Sequence, residues 1–136
     1  MLLTAAVVVA VLHALLVAFM LTGSLLALRW PRVLWVHVPV ALAILVLYAT
    51  SSDCPLTSLE LWLLERAGEP GYRGGFLGHY VTEPMGFPIR ETSTQVGIYV
   101  TALVPNVVGY SLLAVRHLRG GAARVPEQEL VTRRPG

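Results

Sequence analysis

At 136 residues the chain is long enough for one domain; 55% of its residues are hydrophobic and only 13% are charged, against a charged share of roughly 25% in soluble domains. This composition excludes a disordered chain and an ordinary water-soluble enzyme. The net charge of +2 comes from ten arginines, no lysine and eight acidic residues, which is too small an excess to indicate nucleic acid binding. The single cysteine, Cys54, excludes an internal disulfide framework.

Three uncharged apolar stretches, residues 2–28, 33–50 and 94–115, predict three membrane-spanning helices at about residues 3–28, 33–52 and 94–116. A helix needs roughly 20 residues to cross about 30 Å of hydrocarbon. The first stretch lacks the basic start and the short apolar core of a cleaved signal peptide, so we expect it to be retained. Pro39 and Pro105 lie inside the second and third spans, where a neighbouring helix can satisfy the freed carbonyls. The predicted fold class is an all-α, small integral membrane helical bundle.

The arginines orient the predicted bundle. They are concentrated in the first loop and after the third span, whereas residues 51–93 carry three arginines against six acidic residues. By the positive-inside rule, the C-terminus is cytoplasmic, and the N-terminus and residues 51–93 lie outside. We therefore expect a multi-pass protein of the inner (plasma) membrane. Residues 1–118 form one membrane domain, and residues 119–136 form a disordered cytoplasmic tail.

The segment 53–93 is predicted to be an outer cap on the bundle. Residues 57–67 predict a short interfacial helix, since Thr57 and Glu60 have the spacing of a capping box and Gly68 suits a helix stop. Residues 76–88 predict a second interfacial helix that ends near Pro84. The alternative is a re-entrant helix within 74–88, which would give four membrane-embedded helices.

Small residues that recur every four positions predict close contacts between the spans. They are Ala6, Ala10, Ala14, Ala18 and Thr22 on the first span and Gly97, Thr101, Pro105 and Gly109 on the third. Asn106 is expected to bond a neighbouring helix or the carbonyl that Pro105 leaves free. His37, near the inner boundary, is expected to be an interfacial side chain.

Short motifs in the outer cap resemble those of a known family. They are Cys54-Pro55-Leu56-Thr57, Leu59-Glu60, Ala67-Gly68-Glu69, Gly71-Tyr72, Gly74-Gly75-Phe76 and His79-Tyr80, with His13, Arg29-Trp30-Pro31, Trp35 and His37 outside the cap. Over about residues 5–118 the chain resembles a bacterial membrane protein family catalogued as domain of unknown function 2784. Where that family tends to have Tyr-Pro, this sequence has Phe87-Pro88. The resemblance implies a small multi-span membrane protein and supplies no catalytic residues.

Polar residues near the outer ends of the spans predict a ligand-binding cluster. At about 1.5 Å per residue, His13, Tyr48 and Thr101 all lie roughly 21–23 Å from the cytoplasmic face. His13 is a functional candidate because ionisable residues inside spans usually are. It can equally be structural, with Tyr48 or Thr101 as its partner. The predicted ligand-binding residues are His13, Tyr48, Cys54, His79 and Glu83.

Two functions fit this cluster. The first is an accessory or ligand-binding subunit of a membrane complex, which contacts the lipid bilayer and a protein partner or a second copy, and needs no cofactor and no catalytic residue. The alternative is a haem- or metal-dependent membrane redox protein that uses His13, Cys54 and His79, with Cys54, His79 and Glu83 as metal ligands. His13 and His37 differ by about 16 Å in depth, so they cannot hold one haem between them. His79 can instead bond a carboxylate or a carbonyl.

Overall fold

A computed structural model describes residues 1–50 and 52–122 as an all-helical protein. Its helices are α1 (Leu2–Ala27), α2 (Leu34–Ala49), α3 (Pro55–Arg66), α4 (Gly75–Leu77) and α5 (Thr92–Ala122). A 3-10 turn at Pro31–Val33 leads into α2, and a π-helical turn at Gly78–Thr82 continues α4. The predicted all-α fold class is confirmed. The predicted tail lies outside the described residues from residue 123 onward, and residues 119–122 belong to α5.

Three helices are long and apolar enough to cross a membrane. They are Leu2–Ala27, Pro31–Ala49 and Thr92–Arg119, with mean hydropathies of 2.7, 1.9 and 1.7. Large apolar side chains on these helices face away from the rest of the chain, among them Trp35, Leu45 and Val107. Water would penalise such a surface, because apolar area costs about 25 cal/mol per Å² when it is exposed. The three helices therefore suggest insertion into a membrane.

Helix α1 is the central element and contacts α2, α3 and α5. Near its start, Ala6 and Val9 pack against Leu63 of α3. Near its end, the Ser24 hydroxyl donates to the carbonyl of Pro105 on α5 at 3.1 Å. A Cβ on Gly109 would lie 2.5 Å from Ser24 Oγ, so the two helices touch at their backbones here.

The predicted small-residue stripes are only partly helix contacts. On α5, Pro105 and Gly109 meet α1. A Cβ on Gly97 would have no atom within 4 Å, so that end of the stripe makes no close contact within the described chain. Helices approach most closely where both lack bulk, and α1 places Ser24 opposite Gly109 rather than one of the alanines nearer its start.

His37 lies in the core of the bundle, and the expectation of an interfacial side chain is wrong. Its side chain is 0% exposed. Its Nδ1 lies 2.6 Å from the Tyr110 hydroxyl and its Nε2 lies 3.3 Å from the Met20 carbonyl. Since a carbonyl only accepts, Nε2 carries the proton and Nδ1 accepts from Tyr110. The ring fits because Gly23 has no side chain; a Cβ there would collide with the imidazole.

Asn106 bonds a neighbouring helix, as predicted. Its Nδ2 donates to the Met20 carbonyl at 2.9 Å and to the Ala102 carbonyl at 2.8 Å. Ala102 is the residue four before Asn106, so neither bond goes to the carbonyl that Pro105 frees on Thr101. The Met20 carbonyl thus accepts from both α2 and α5 and joins the three long helices.

Helix α3 begins at Pro55, so the predicted capping box of Thr57 and Glu60 is wrong. Cys54 is the N-cap residue and makes no side-chain cap bond. Proline at the first helical position needs no N–H partner and presets the helical φ, which places Thr57 inside the first turn. At the other end, Gly68 has a φ of 78°, and Glu69 N–H donates to the Leu64 carbonyl at 3.0 Å. The predicted stop at Gly68 is confirmed as a Schellman motif.

A helical segment lies where the sequence predicts a second helix that ends near Pro84. The helical segment runs over residues 75–82 and ends before Pro84. Gly74 precedes it with a φ of 86°, a left-handed conformation that favours glycine. This turn directs segment 75–82 back toward α1 and α3.

Candidate functional site

At the α3 end of the bundle, α1, α3 and segment 75–82 surround the carboxyl group of Glu60. This side chain is only 1% exposed. The Tyr80 hydroxyl donates to its Oε1 at 2.6 Å and the Tyr72 hydroxyl donates to its Oε2 at 3.0 Å. Charged groups are rarely buried unless they are hydrogen-bonded or paired. We call Glu60, Tyr72 and Tyr80 the carboxylate cluster.

The helical register of α3 aims Glu60 at α1. Residues three and four apart on a helix share a face. Leu63 of that face packs on Ala6 and Val9 of α1, and Leu64 is packed against the same group. Glu60 is therefore held on the inner side of α3 among apolar neighbours.

The hydroxyl groups of Tyr72 and Tyr80 keep their protons and act as hydrogen-bond donors to Glu60. Burial, together with the hydrogen bond to Glu60, raises the pKa of Tyr80 to about 12. Burial raises the pKa of Tyr72 further above its ordinary value of 10.0, and the bond to Glu60 adds to the effect. Both hydroxyls therefore stay protonated at neutral pH and keep donating to the carboxylate.

Stacked aromatic rings hold the carboxylate cluster in place. Tyr72 stacks on His79 with ring centroids 4.2 Å apart, and Phe76 stacks on His13 at 4.1 Å. Phe76 also contacts the Tyr80 ring at 4.9 Å. Ring pairs at these distances contribute about 0.5–1.5 kcal/mol beyond their buried area. The stacking orients the rings of Tyr72 and Tyr80, whose hydroxyls bond Glu60.

Three of the predicted ligand-binding residues lie around this cluster. His79 stacks on Tyr72. His13 is 7% exposed, and its Nε2 lies 3.7 Å from the sulfur of Cys54. The Nδ1 of His13 is buried and has no hydrogen-bond partner among the described residues.

The other two predicted ligand-binding residues lie elsewhere. Tyr48 is 63% exposed and its hydroxyl lies 2.8 Å from that of Tyr99 on α5. Its expected pairing with His13 is therefore wrong, and Thr101 is also exposed rather than paired with His13. Glu83 is exposed in a separate depression with Arg73 and Arg90.

The candidate metal ligands Cys54, His79 and Glu83 do not converge. Within residues 1–50 and 52–122, no three His, Cys, Asp or Glu side chains converge as metal ligands would. Cys54 contacts His13, the His79 ring is stacked on Tyr72, and Glu83 lies with two arginines. The set of Cys54, His79 and Glu83 is dispersed because aromatic stacking directs His79 toward Tyr72.

A groove of about 340 Å³ runs along α1 beside the carboxylate cluster. We call it the α1 groove. Its volume lies within the roughly 300–1,000 Å³ that small-molecule sites occupy. Ala6, Ala10 and Ala14 leave space along one wall, so the predicted alanine stripe borders a groove there. The lining consists of Ala6, Val7, Ala10, Val11, Ala14, Glu60, Leu64, Phe76 and Tyr80.

Sequence reasoning missed Tyr72, Phe76 and Tyr80 as site residues and gave Glu60 a capping role. One signal was available. Glu60 stands between Leu59 and Leu61 in a helix that is apolar around most of its circumference. A carboxylate in such a helix needs hydrogen-bond donors from elsewhere in the chain. Tyr72 and Tyr80, which follow Glu60 in the sequence, are uncharged side chains that can donate such bonds.

Comparison with known proteins places the chain in a family. A family model described as "Protein of Unknown function (DUF2784)" matches residues 3–111. The chain belongs to this family. The DUF2784 match includes the whole carboxylate cluster and the α1 groove. No curated protein and no solved structure matches the chain.

Proposed function

We propose that the protein is a ligand-binding or accessory subunit of a membrane complex that takes an amphiphilic molecule from the lipid into the α1 groove. The observation that carries the proposal is Glu60. It is a nearly fully buried carboxyl group in the lining of a groove whose other residues are apolar except for Tyr80. An apolar tail fits along α1, and a polar head group fits at Glu60.

The hydrogen-bonding capacity of Glu60 supports a head group that donates. An ionised carboxylate has about four acceptor sites, and the two tyrosine hydroxyls fill two of them. The remaining lone pairs face an environment in which an unpaired polar group is costly. A hydroxyl or an ammonium group would fill them. A phosphate would be repelled by the like charge.

We further propose that the site faces the outside of the inner membrane. The support is the excess of arginines in the first loop and after the third span. Cys54, the only cysteine, should then label with a membrane-impermeant thiol reagent from outside in intact cells. The matched control replaces Cys54 with serine. Labelling from the cytoplasmic side alone would contradict this orientation.

The ligand proposal is tested by native mass spectrometry of the protein purified in mild detergent. We expect the wild type to carry a bound amphiphile that organic solvent releases. Glu60→Gln should retain about tenfold less, since a hydrogen bond to a charged group contributes about 1.5–3 kcal/mol. Glu65→Gln changes an exposed carboxylate on the same helix and should retain as much as the wild type.

A second pair of variants tests the groove itself. Ala10→Leu fills the α1 groove and should displace the amphiphile. Ala18→Leu adds the same bulk at an exposed position of α1 outside the groove and should have no effect. A wild-type protein that carries no amphiphile, or equal retention in all variants, would count against the proposal.

A further inference from the structure

The two ends of the α1 groove differ in chemistry. Along α1 the wall consists of small aliphatic side chains, including Ala10 and Ala14. Beside Glu60 the wall consists of the Phe76 and Tyr80 rings, whose centroids are 4.9 Å apart and whose planes are tilted by 41°. Aromatic faces favour a further ring in an offset or edge-to-face arrangement. The tail end thus suits a flexible chain, and the head end suits a flat ring.

The polar atoms at the head end accept hydrogen bonds. The Tyr80 proton already goes to Oε1 of Glu60, so its oxygen is left as an acceptor. The lining includes no amide, histidine or arginine that could donate to a ligand carbonyl. A ring that carries hydroxyl groups matches this arrangement, whereas a ring that carries only carbonyl groups leaves its own oxygens without a donor and adds none to Glu60 beyond the two tyrosines.

We infer that the head group bound in the α1 groove is a hydroxylated aromatic ring, as in a quinol with an apolar tail. The inference rests on the proposed function and specifies its ligand class. The ring stacks on Phe76 and Tyr80 while one hydroxyl donates to Glu60. The tail extends along Ala10 and Ala14. The site binds the reduced quinol in preference to the oxidised quinone, because only the quinol donates.

The test compares three probes with the same ten-carbon tail: decylbenzoquinol, decylbenzoquinone and decylglycerol. Binding to the full-length protein in detergent micelles is measured by calorimetry without oxygen. We expect the quinol to bind at least about tenfold more tightly than the quinone, the ratio that one hydrogen bond to a charged group produces. Decylglycerol has hydroxyl groups and no ring, so it should bind more weakly than the quinol.

Variants separate the two parts of the inference. Glu60→Gln should reduce the quinol preference to about threefold or less, because an amide both donates and accepts. Glu65→Gln should leave it unchanged. Phe76→Leu should weaken the quinol and spare decylglycerol, with circular dichroism to verify folding. Phe87→Leu removes an exposed aromatic side chain outside the groove and is the matched control.

Each outcome decides between the inference and the proposed function. Equal binding of quinol and quinone overturns the inference, and so does decylglycerol that binds as tightly as the quinol. In both cases the amphiphile proposal stands. If no probe binds but a native amphiphile is released from the wild type, the inference fails alone. If no probe binds and nothing is released, both fail.

Discussion

Gly23→Ala is expected to destabilise the bundle by about 3 kcal/mol, because the added methyl group overpacks a filled core. The new Cβ would collide with the ring of His37, which is 0% exposed. The ring cannot retreat without breaking its bonds to the Tyr110 hydroxyl and the Met20 carbonyl. The measurement is equilibrium unfolding in mixed micelles, followed by circular dichroism.

Gly97→Ala is the matched control for this prediction. A Cβ at Gly97 meets nothing within 4 Å, so the substitution should be neutral or should stabilise α5 by up to about 1 kcal/mol. Repeating Gly23→Ala in a His37→Ala background isolates the contact between residues 23 and 37, since the stability effects of two substitutions in contact do not simply add. An equal cost of Gly23→Ala in both backgrounds would show that the imidazole is not the obstacle.

Glu60→Ala is expected to cost about 2–5 kcal/mol of unfolding free energy. It empties the space of a side chain that is 1% exposed, and it removes the acceptor shared by the hydroxyls of half-buried Tyr72 and exposed Tyr80; an unsatisfied buried group costs about 1–3 kcal/mol. Tyr80→Phe removes one donor and keeps the other, so it should cost less than Glu60→Ala. Glu65→Ala, at an exposed position on α3, should stay within about 0.5 kcal/mol of the wild type.

The same cluster gives stability a defined pH dependence. Tyr80 ionises near 10.0 when unfolded and near 12 when folded. The folded state therefore holds its proton more tightly, so the contribution of Tyr80 to stability is constant below pH 10 and falls as pH rises from 10 toward 12. In Glu60→Ala only burial raises the folded-state pKa of Tyr80, so the decline should still begin near pH 10 but level off at a lower pH and be smaller in total. An equally large decline over the same pH range in both proteins would contradict the role given to Glu60.

The long helices could be predicted from the sequence because their signals are redundant. Each span is an uncharged apolar run of sufficient length, and no competing pattern overlaps it. The end of α3 at Gly68 was equally accessible, since a left-handed residue after a helix favours glycine. The start of α3 could not be predicted from the sequence, because Pro55 and Thr57 both signal a helix start and the helix begins at the proline.

The site itself depends on contacts between distant parts of the chain. Glu60 meets Tyr80 only because segment 75–82 turns back at Gly74, and it meets Tyr72 from the loop before that turn. His37 becomes a core residue only because Gly23 lies opposite. Depth along each helix can be estimated from the sequence, and it placed His13 and Tyr48 at one level. Depth does not give the rotation of a helix, and Tyr48 faces α5 instead.

The junction at the Met20 carbonyl uses a main-chain atom as its acceptor. Every amino acid at position 20 supplies that oxygen, whereas the donors at 37 and 106 are specific side chains. Position 20 should therefore tolerate substitution better than positions 37 and 106, although the three residues share one set of hydrogen bonds. A saturation library should accept many residues at 20 and few at 37 or 106, even though all three positions belong to one hydrogen-bonded unit.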